Sequence, residues 1–246
     1  MEYTQSGTGP TLLLLPGLGC DDRLWQGVVE RLSDHFTLVQ PHTWGRGPLT
    51  EQARELETLA GELGGRPLGI AGLSLGGYLS FECLRRWPQG IRAAALLDTT
   101  AYADDADRVE TRHQVLGLLE AGKYAEVLGA FVPSVLAPGL AKEHPARALL
   151  LDMAVGLGAE TFALDLHAIL GRGDFTDVLP HLRVPILFVV GSQDTLTPPA
   201  VARQMAAEVP GSRLVEIPDA GHMTPLENPE ATARVLDQFF TVAFHL

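Results

Sequence analysis

A serine stands between two glycines in Gly72-Leu73-Ser74-Leu75-Gly76, directly after the apolar stretch 68–73 and directly before a helical pattern. A serine hydroxyl becomes a useful nucleophile only when a base takes its proton. At the tip of a strand-to-helix turn the serine backbone is strained, and the chain passes close to itself on both sides. Side chains two residues before and after would collide, which accounts for Gly72 and Gly76; Gly77 extends the clearance. A helix beginning at Ser74 aims the Leu75 amide at the space above the hydroxyl, where a helix N-terminus favours negative charge. The plainer reading is a turn that needs glycine only for packing. Against it, Leu75, Leu79, Cys83, Leu84 and Trp87 keep helical spacing, and Pro88 stops that helix.

A base needs a third group that holds its tautomer and stabilises its cation. In a parallel sheet such groups belong in loops that follow strands. Asp194 follows the strand pattern 184–190, and His222 follows 213–217. Asp194 as the cap of a turn and His222 as an ordinary loop histidine are the plainer alternatives. His42, His113, His144, His167, His181 and His245 lack such a setting. No His, Cys, Asp and Glu grouping has zinc spacing, and no glycine-rich nucleotide fingerprint occurs, so neither metal nor cofactor is expected.

The elements that must position these loops alternate. Thr11-Leu12-Leu13-Leu14-Leu15 is a continuous apolar run, as in a strand buried on both faces of a sheet. The glycine-rich loop Pro16 to Asp22 follows; it bares its amides and includes Cys20, a candidate lining residue. Asp22 is placed to cap a helix carrying Trp25, Val28, Val29 and Leu32. Further strands are predicted at 36–40, 68–73 and 91–97, helices at about 50–63 and 75–87, and an edge strand within 1–6. This alternation implies a mainly parallel sheet with helices on both faces. From 101 to 182 only helical periods occur (109–119, 124–131, 146–155, 162–170), broken at Pro133, Pro138, 156–158 and 171–173. That segment is read as a helical cap inserted over the carboxyl ends of the strands. The core is then 1–100 with 183–246, where strands 184–190 and 213–217, a helix over 200–208, and a last helix from Asn228-Pro229-Glu230 resume the pattern.

A chain of 246 residues, 46% of them hydrophobic, suits one globular domain with an insertion. The net charge of −12 argues against nucleic acid and anionic membranes as partners. Cys20 and Cys83 make no disulfide framework. No signal-peptide or membrane-length pattern is found, so the expected location is cytoplasmic, as a monomer or homodimer.

Four stretches in this order carry a family resemblance: Leu14-Leu15-Pro16-Gly17-Leu18-Gly19, the serine turn, Gly191-x-x-Asp194-x-x-x-Pro198, and Gly221-His222 with Glu227-x-Pro229. Over essentially its whole length the chain resembles the α/β-hydrolase fold superfamily, in its capped carboxylesterase-like group. It is similar there to small carboxylesterases, including those that remove methyl esters from pimeloyl chains on a carrier protein. The resemblance implies Ser74 as nucleophile, His222 as base, Asp194 as orienting acid, and the N–H groups of Leu18 and Leu75 as an oxyanion hole. Some relatives place the acid after the strand that follows the serine, which here is Asp98. The chain departs from the family at Pro16-Gly17, where His-Gly is usual, at Gly45-Arg46-Gly47, where Arg-Gly-His-Gly is usual, and in a shortened leading hairpin.

The activity so implied is hydrolysis of a small carboxylic ester through an acyl-enzyme. The same triad serves lactones, C–C bonds of diketones and perhydrolysis, and some proteins of this fold are ligand-binding receptors. Leu116, Leu119, Phe131 and Phe162 of the insertion, with Cys20 and Met223, are the candidates for a pocket taking small to medium apolar acyl groups. A carrier-protein substrate would need a basic face, for which Arg108, Arg112 and Arg147 are candidates. Acids outnumber bases throughout 101–182, so a small free ester is the expectation.

Overall fold

The computed structural model describes residues 1–245. In β2 (Thr11–Leu15), Leu12 and Leu14 are buried on one side of a sheet and Leu13 and Leu15 on the other. The same division holds in β4 (Leu68–Leu73), with Ile70 opposite Ala71 and Leu73. It holds again in β5 (Ile91–Leu97), with Ala94 and Leu96 opposite Ala93, Ala95 and Leu97. Burial on both faces is what the unbroken apolar runs require. With β1 (Tyr3–Ser6), β3 (Thr37–Pro41), β6 (Ile186–Gly191) and β7 (Arg213–Ile217), these form a seven-stranded sheet in the order β1-β3-β2-β4-β5-β6-β7. The edge strand β1 runs antiparallel to β3; the remaining pairs are parallel.

Helices cover both faces. α1 (Gln26–Leu32) and α9 (Pro229–Phe244) bury Val28, Leu32, Leu236 and Phe240 on one side. α2 (Leu49–Glu62), α3 (Leu75–Arg86) and α7 (Pro199–Glu208) bury Leu56, Leu79 and Met205 on the other. The short α8 (Thr224–Glu227) precedes α9. Among the described residues, no helix is long and apolar enough to cross a membrane.

Between β5 and β6 lie α4 (Ala106–Glu120), α5 (Tyr124–Val135) and α6 (Pro145–Leu170). Two predicted breaks take another form. Pro133 sits inside α5, two residues before its end, with its neighbours Val132 and Val135 buried. Packing there outweighs the loss of one backbone hydrogen bond. The break predicted at 156–158 is a sharp kink with no intervening loop: two helices, described together as α6, meet at Gly158, whose φ 83°, ψ 167° lie outside the helical region.

One buried carboxyl ties this helical segment to the core. Asp165 of α6 accepts a hydrogen bond of 2.7 Å from the Gly45 N–H in the loop after β3. Burial raises its pKa to about 7, and the bond from Gly45 offsets this only in part. The folded chain therefore keeps this proton from about pH 4 to 7, where the unfolded chain has lost it. The contribution of this group to stability is complete below about pH 4 and is lost as the pH rises through 7. Asp165→Asn retains the acceptor without the titration. Denaturant unfolding should show the variant more stable than the wild type at pH 8, by on the order of 2 kcal/mol or more, and nearly equal at pH 4. A difference that does not change with pH would contradict the assignment.

Candidate active site

Ser74 ends β4 and opens α3 at φ 54°, ψ −108°, a conformation that costs a non-glycine residue energy. Its neighbours hold it there. The Ser74 N–H donates to the Leu97 carbonyl at 2.9 Å, and the Thr99 hydroxyl donates to the Ser74 carbonyl at 2.9 Å. A Cβ on Gly72 would lie 2.2 Å from the Gly76 carbonyl oxygen, so the turn does close on itself. A Cβ on Gly76 would meet the Leu15 carbonyl oxygen of the neighbouring strand at 2.3 Å, and one on Gly77 would meet Thr99. Clearance at those two positions is set by β2 and by the loop after β5, partners that the five-residue motif cannot display.

The parallel sheet delivers the other two candidates to the same end. His222 Nε2 lies 2.8 Å from Ser74 Oγ, and His222 Nδ1 lies 2.8 Å from Asp194 Oδ2. Both His222 and Asp194 are buried. The rest of the Asp194 carboxylate is occupied by the Thr197 hydroxyl on Oδ2 at 2.8 Å and by the N–H groups of Leu196 and Thr197 on Oδ1 at 2.8 and 3.0 Å. Burial pushes this carboxyl upward, but the charge and hydrogen bond of His222, with the bonds from Thr197, hold it below the ordinary carboxylate value.

Asp98 occupies a different position. Its Oδ1 accepts from the Gly191 N–H at 2.8 Å and its Oδ2 from the Thr224 hydroxyl at 2.5 Å, so both oxygens are engaged away from the His222 ring. Burial, and then the nearby charge of Asp194, push its pKa well above the usual range. Asp98 thus fastens the end of β6 to the segment that follows His222. Glu227 does similar work: Oε1 accepts from the Met223 N–H at 3.0 Å, and Oε2 from the Ala137 N–H at 2.7 Å. The His222 N–H itself donates to the Val135 carbonyl at the end of α5. Sequence reasoning assigned no role to Thr197 or Glu227, although Glu227 belongs to a stretch that carried the resemblance.

Leu75 opens α3 and Leu18 lies in the loop after β2. Among the described residues neither backbone N–H has a hydrogen-bond partner. A cavity of about 430 Å³ has Ser74 and His222 in its wall. Leu18, Tyr78 and Met223 line it from the core, and Phe131, Phe162 and Leu166 from the helical segment. Three of the six pocket candidates are therefore in place: Phe131, Phe162 and Met223. The other three are not. Leu116 and Leu119 are buried in the apolar packing of the helical segment, and Val115 and Leu118 line the cavity instead. A shift of one residue turns a helix by about 100°, and a period alone does not say which neighbour each face meets. Cys20 is fully buried, with its thiol 3.6 Å from the Leu18 carbonyl, and burial raises its pKa.

The arginines considered for a basic face make separate contacts. Arg108 donates to the Leu196 carbonyl, Arg147 to the carbonyls of Leu140 and Ala141, and Arg112 lines the cavity.

Comparison with known proteins agrees with this architecture. Residues 12–235 match the model of the alpha/beta hydrolase family. The chain is 28% identical to a pimeloyl-[acyl-carrier protein] methyl ester esterase of Nitrosomonas europaea, over 94% of this chain and 96% of the relative. A thermophilic esterase from Thermogutta terrifontis superposes with a TM-score of 0.93 at 28% identity, covering 98% of this chain and 93% of the other. The enol-lactonase of Burkholderia xenovorans LB400 shares the fold, with a TM-score of 0.88 at 24% identity over 98% of this chain and 96% of that one. The chain belongs to the alpha/beta hydrolase family and, on that membership, is a hydrolase.

Proposed function

We propose that the protein is a serine esterase acting on carboxylic esters with small to medium apolar acyl groups, by way of an acyl-enzyme. One observation carries this reading: the His222 ring is hydrogen-bonded at both nitrogens, to Ser74 Oγ on one side and to a buried carboxylate on the other, each at 2.8 Å. That is the arrangement in which a hydroxyl loses its proton as it attacks a carbonyl. Ser74 Oγ attacks the ester carbon while His222 Nε2 takes the proton. The N–H groups of Leu18 and Leu75 receive the developing oxyanion. His222 then protonates the departing alcohol. Water, deprotonated by the same nitrogen, attacks the acyl-enzyme and releases the acid. Asp194 keeps Nδ1 protonated and stabilises the imidazolium. Helices α4 to α6 serve as a cap that shields the acyl chain, which the apolar lining of the cavity supports. The substrate is a small free ester, a reading supported by the excess of acidic over basic residues throughout 101–182.

A chain-length series of p-nitrophenyl esters tests the reading. The wild type should hydrolyse them with a maximum at one length, and Ser74→Ala should lose a factor of about 10⁴ or more in kcat with its melting temperature preserved. Retained turnover in the variant would rule out Ser74 as nucleophile. The two buried aspartates should separate in the same assay. Asp194→Asn should lower kcat by about 10³ to 10⁴, because the wrong tautomer faces Ser74. Asp98→Asn should keep kcat within about threefold and act mainly on stability, through the bonds to Gly191 and Thr224. The reverse pattern would make Asp98 the orienting acid.

A further inference from the structure

The mechanism uses the Ser74 end of the cavity and leaves one charged group in its wall unexplained. Arg112 of α4 lines the cavity with a side chain only 17% exposed. Its Nε donates to Asp104 Oδ2 at 2.7 Å. The other oxygen of Asp104 is taken by Arg172 Nη2 at 2.9 Å. Two guanidinium groups therefore share one carboxylate; with Arg108 also acting on Asp104 and Asp174 beside Arg172, three arginines face two aspartates and the cluster keeps a formal charge of about +1. Arg172 and Asp104 are 2% and 6% exposed, so solvent does little to offset that charge. Arg172 also gives Nη1 to the Tyr102 carbonyl, whereas the two terminal nitrogens of Arg112 have no acceptor among the described residues.

The cluster backs onto the catalytic end. The Arg172 guanidinium stacks over the Tyr78 ring, 4.1 Å from its centroid. Tyr78 lines the same cavity one helical turn beyond Ser74 on α3. The other charged residue of the wall, Glu126, is 61% exposed and paired with Lys123 at 3.4 Å, which places it at the rim. The remaining lining is chiefly apolar, with Thr111 and Ser134 donating their hydroxyls to the carbonyls of Asp107 and Phe131. A half-buried cation with two free donors in an apolar cavity is costly when empty and favours an anion.

We propose that Arg112 binds a carboxylate on the substrate, remote from the scissile ester, so that the preferred substrates are half-esters of dicarboxylic acids. The fork left free by Asp104 suits a carboxylate bound through two parallel hydrogen bonds. The apolar lining suits the methylene chain between the two ends. Naming this substrate class rests on the esterase reading above.

Binding is measured on the Ser74→Ala protein, so that the outcome does not depend on turnover. The ligands are the monomethyl esters of adipic, suberic and sebacic acids and their matching ω-carboxamides, which have nearly the same shape and no charge. Calorimetry should show the best-fitting half-ester bound at least about tenfold more tightly than its amide. Adding Arg112→Gln should bring that ratio close to one, and Arg112→Lys should retain part of it, since lysine keeps the charge without the fork. Equal binding of acid and amide at every length, or a preference that survives Arg112→Gln, overturns the proposal. If Arg112→Gln does not fold, Arg112→Lys decides: an undiminished ratio overturns the proposal. Hydrolysis of neutral p-nitrophenyl esters by the wild type is read separately. Turnover of these without any anion preference sinks only the role of Arg112. Half-ester binding without turnover of any ester sinks only the esterase reading.

Discussion

A single imidazole held between a carboxylate and a hydroxyl is the constraint on which the rest of this molecule depends. Two hydrogen bonds of 2.8 Å require three loops, distant in sequence, to agree to within a fraction of an ångström. The parallel sheet supplies that agreement. β4 and β5 end in register at Leu73 and Leu97, and β6 and β7 end together at Gly191 and Ile217. The loops carrying Ser74, Asp98, Asp194 and His222 therefore start from one edge. Buried polar side chains then fasten the loops to one another. Asp98 joins the Gly191 amide to Thr224, and Glu227 joins the Met223 amide to Ala137. Such groups are tolerated in a low-dielectric interior because each oxygen has a donor, and removing one partner would leave a buried charge or dipole exposed to nothing.

The helical segment between β5 and β6 belongs to this network. Its α5 end accepts the His222 N–H through Val135, and its α6 holds the Gly45 loop through Asp165. Arg108 reaches from α4 to the Leu196 carbonyl, in the loop that carries Asp194. The segment thus forms much of the cavity wall and also bears on the backbone of the residues that would do chemistry. A change in its packing would be felt at His222 without touching Ser74.

Much of this was legible in the sequence, for physical reasons. Strands buried on both faces read as unbroken apolar runs, and Thr11–Leu15 and Leu68–Leu73 are such runs. Ser74, Asp194 and His222 stood out because each lies in a turn or loop that follows a strand, and the sheet places those loops side by side. Other features depend on contacts that local patterns do not encode. The rotational phase of α4 is one: Val115 and Leu118, not Leu116 and Leu119, meet the cavity. Asp104 and Arg172 lie 68 residues apart, and no spacing rule pairs them. Thr197, which donates to Asp194, is an unremarked threonine until the loop is folded.

The chemistry proposed for this site requires that His222 make Ser74 a nucleophile. Its most direct test is intact-mass and peptide-mapping spectrometry after exposure to an alkyl fluorophosphonate, comparing the wild type with His222→Ala. One adduct is expected, on Ser74, formed rapidly in the wild type and slower by about a thousandfold or more without the imidazole. An adduct on another residue, or labelling of Ser74 at the same rate in His222→Ala, would contradict it.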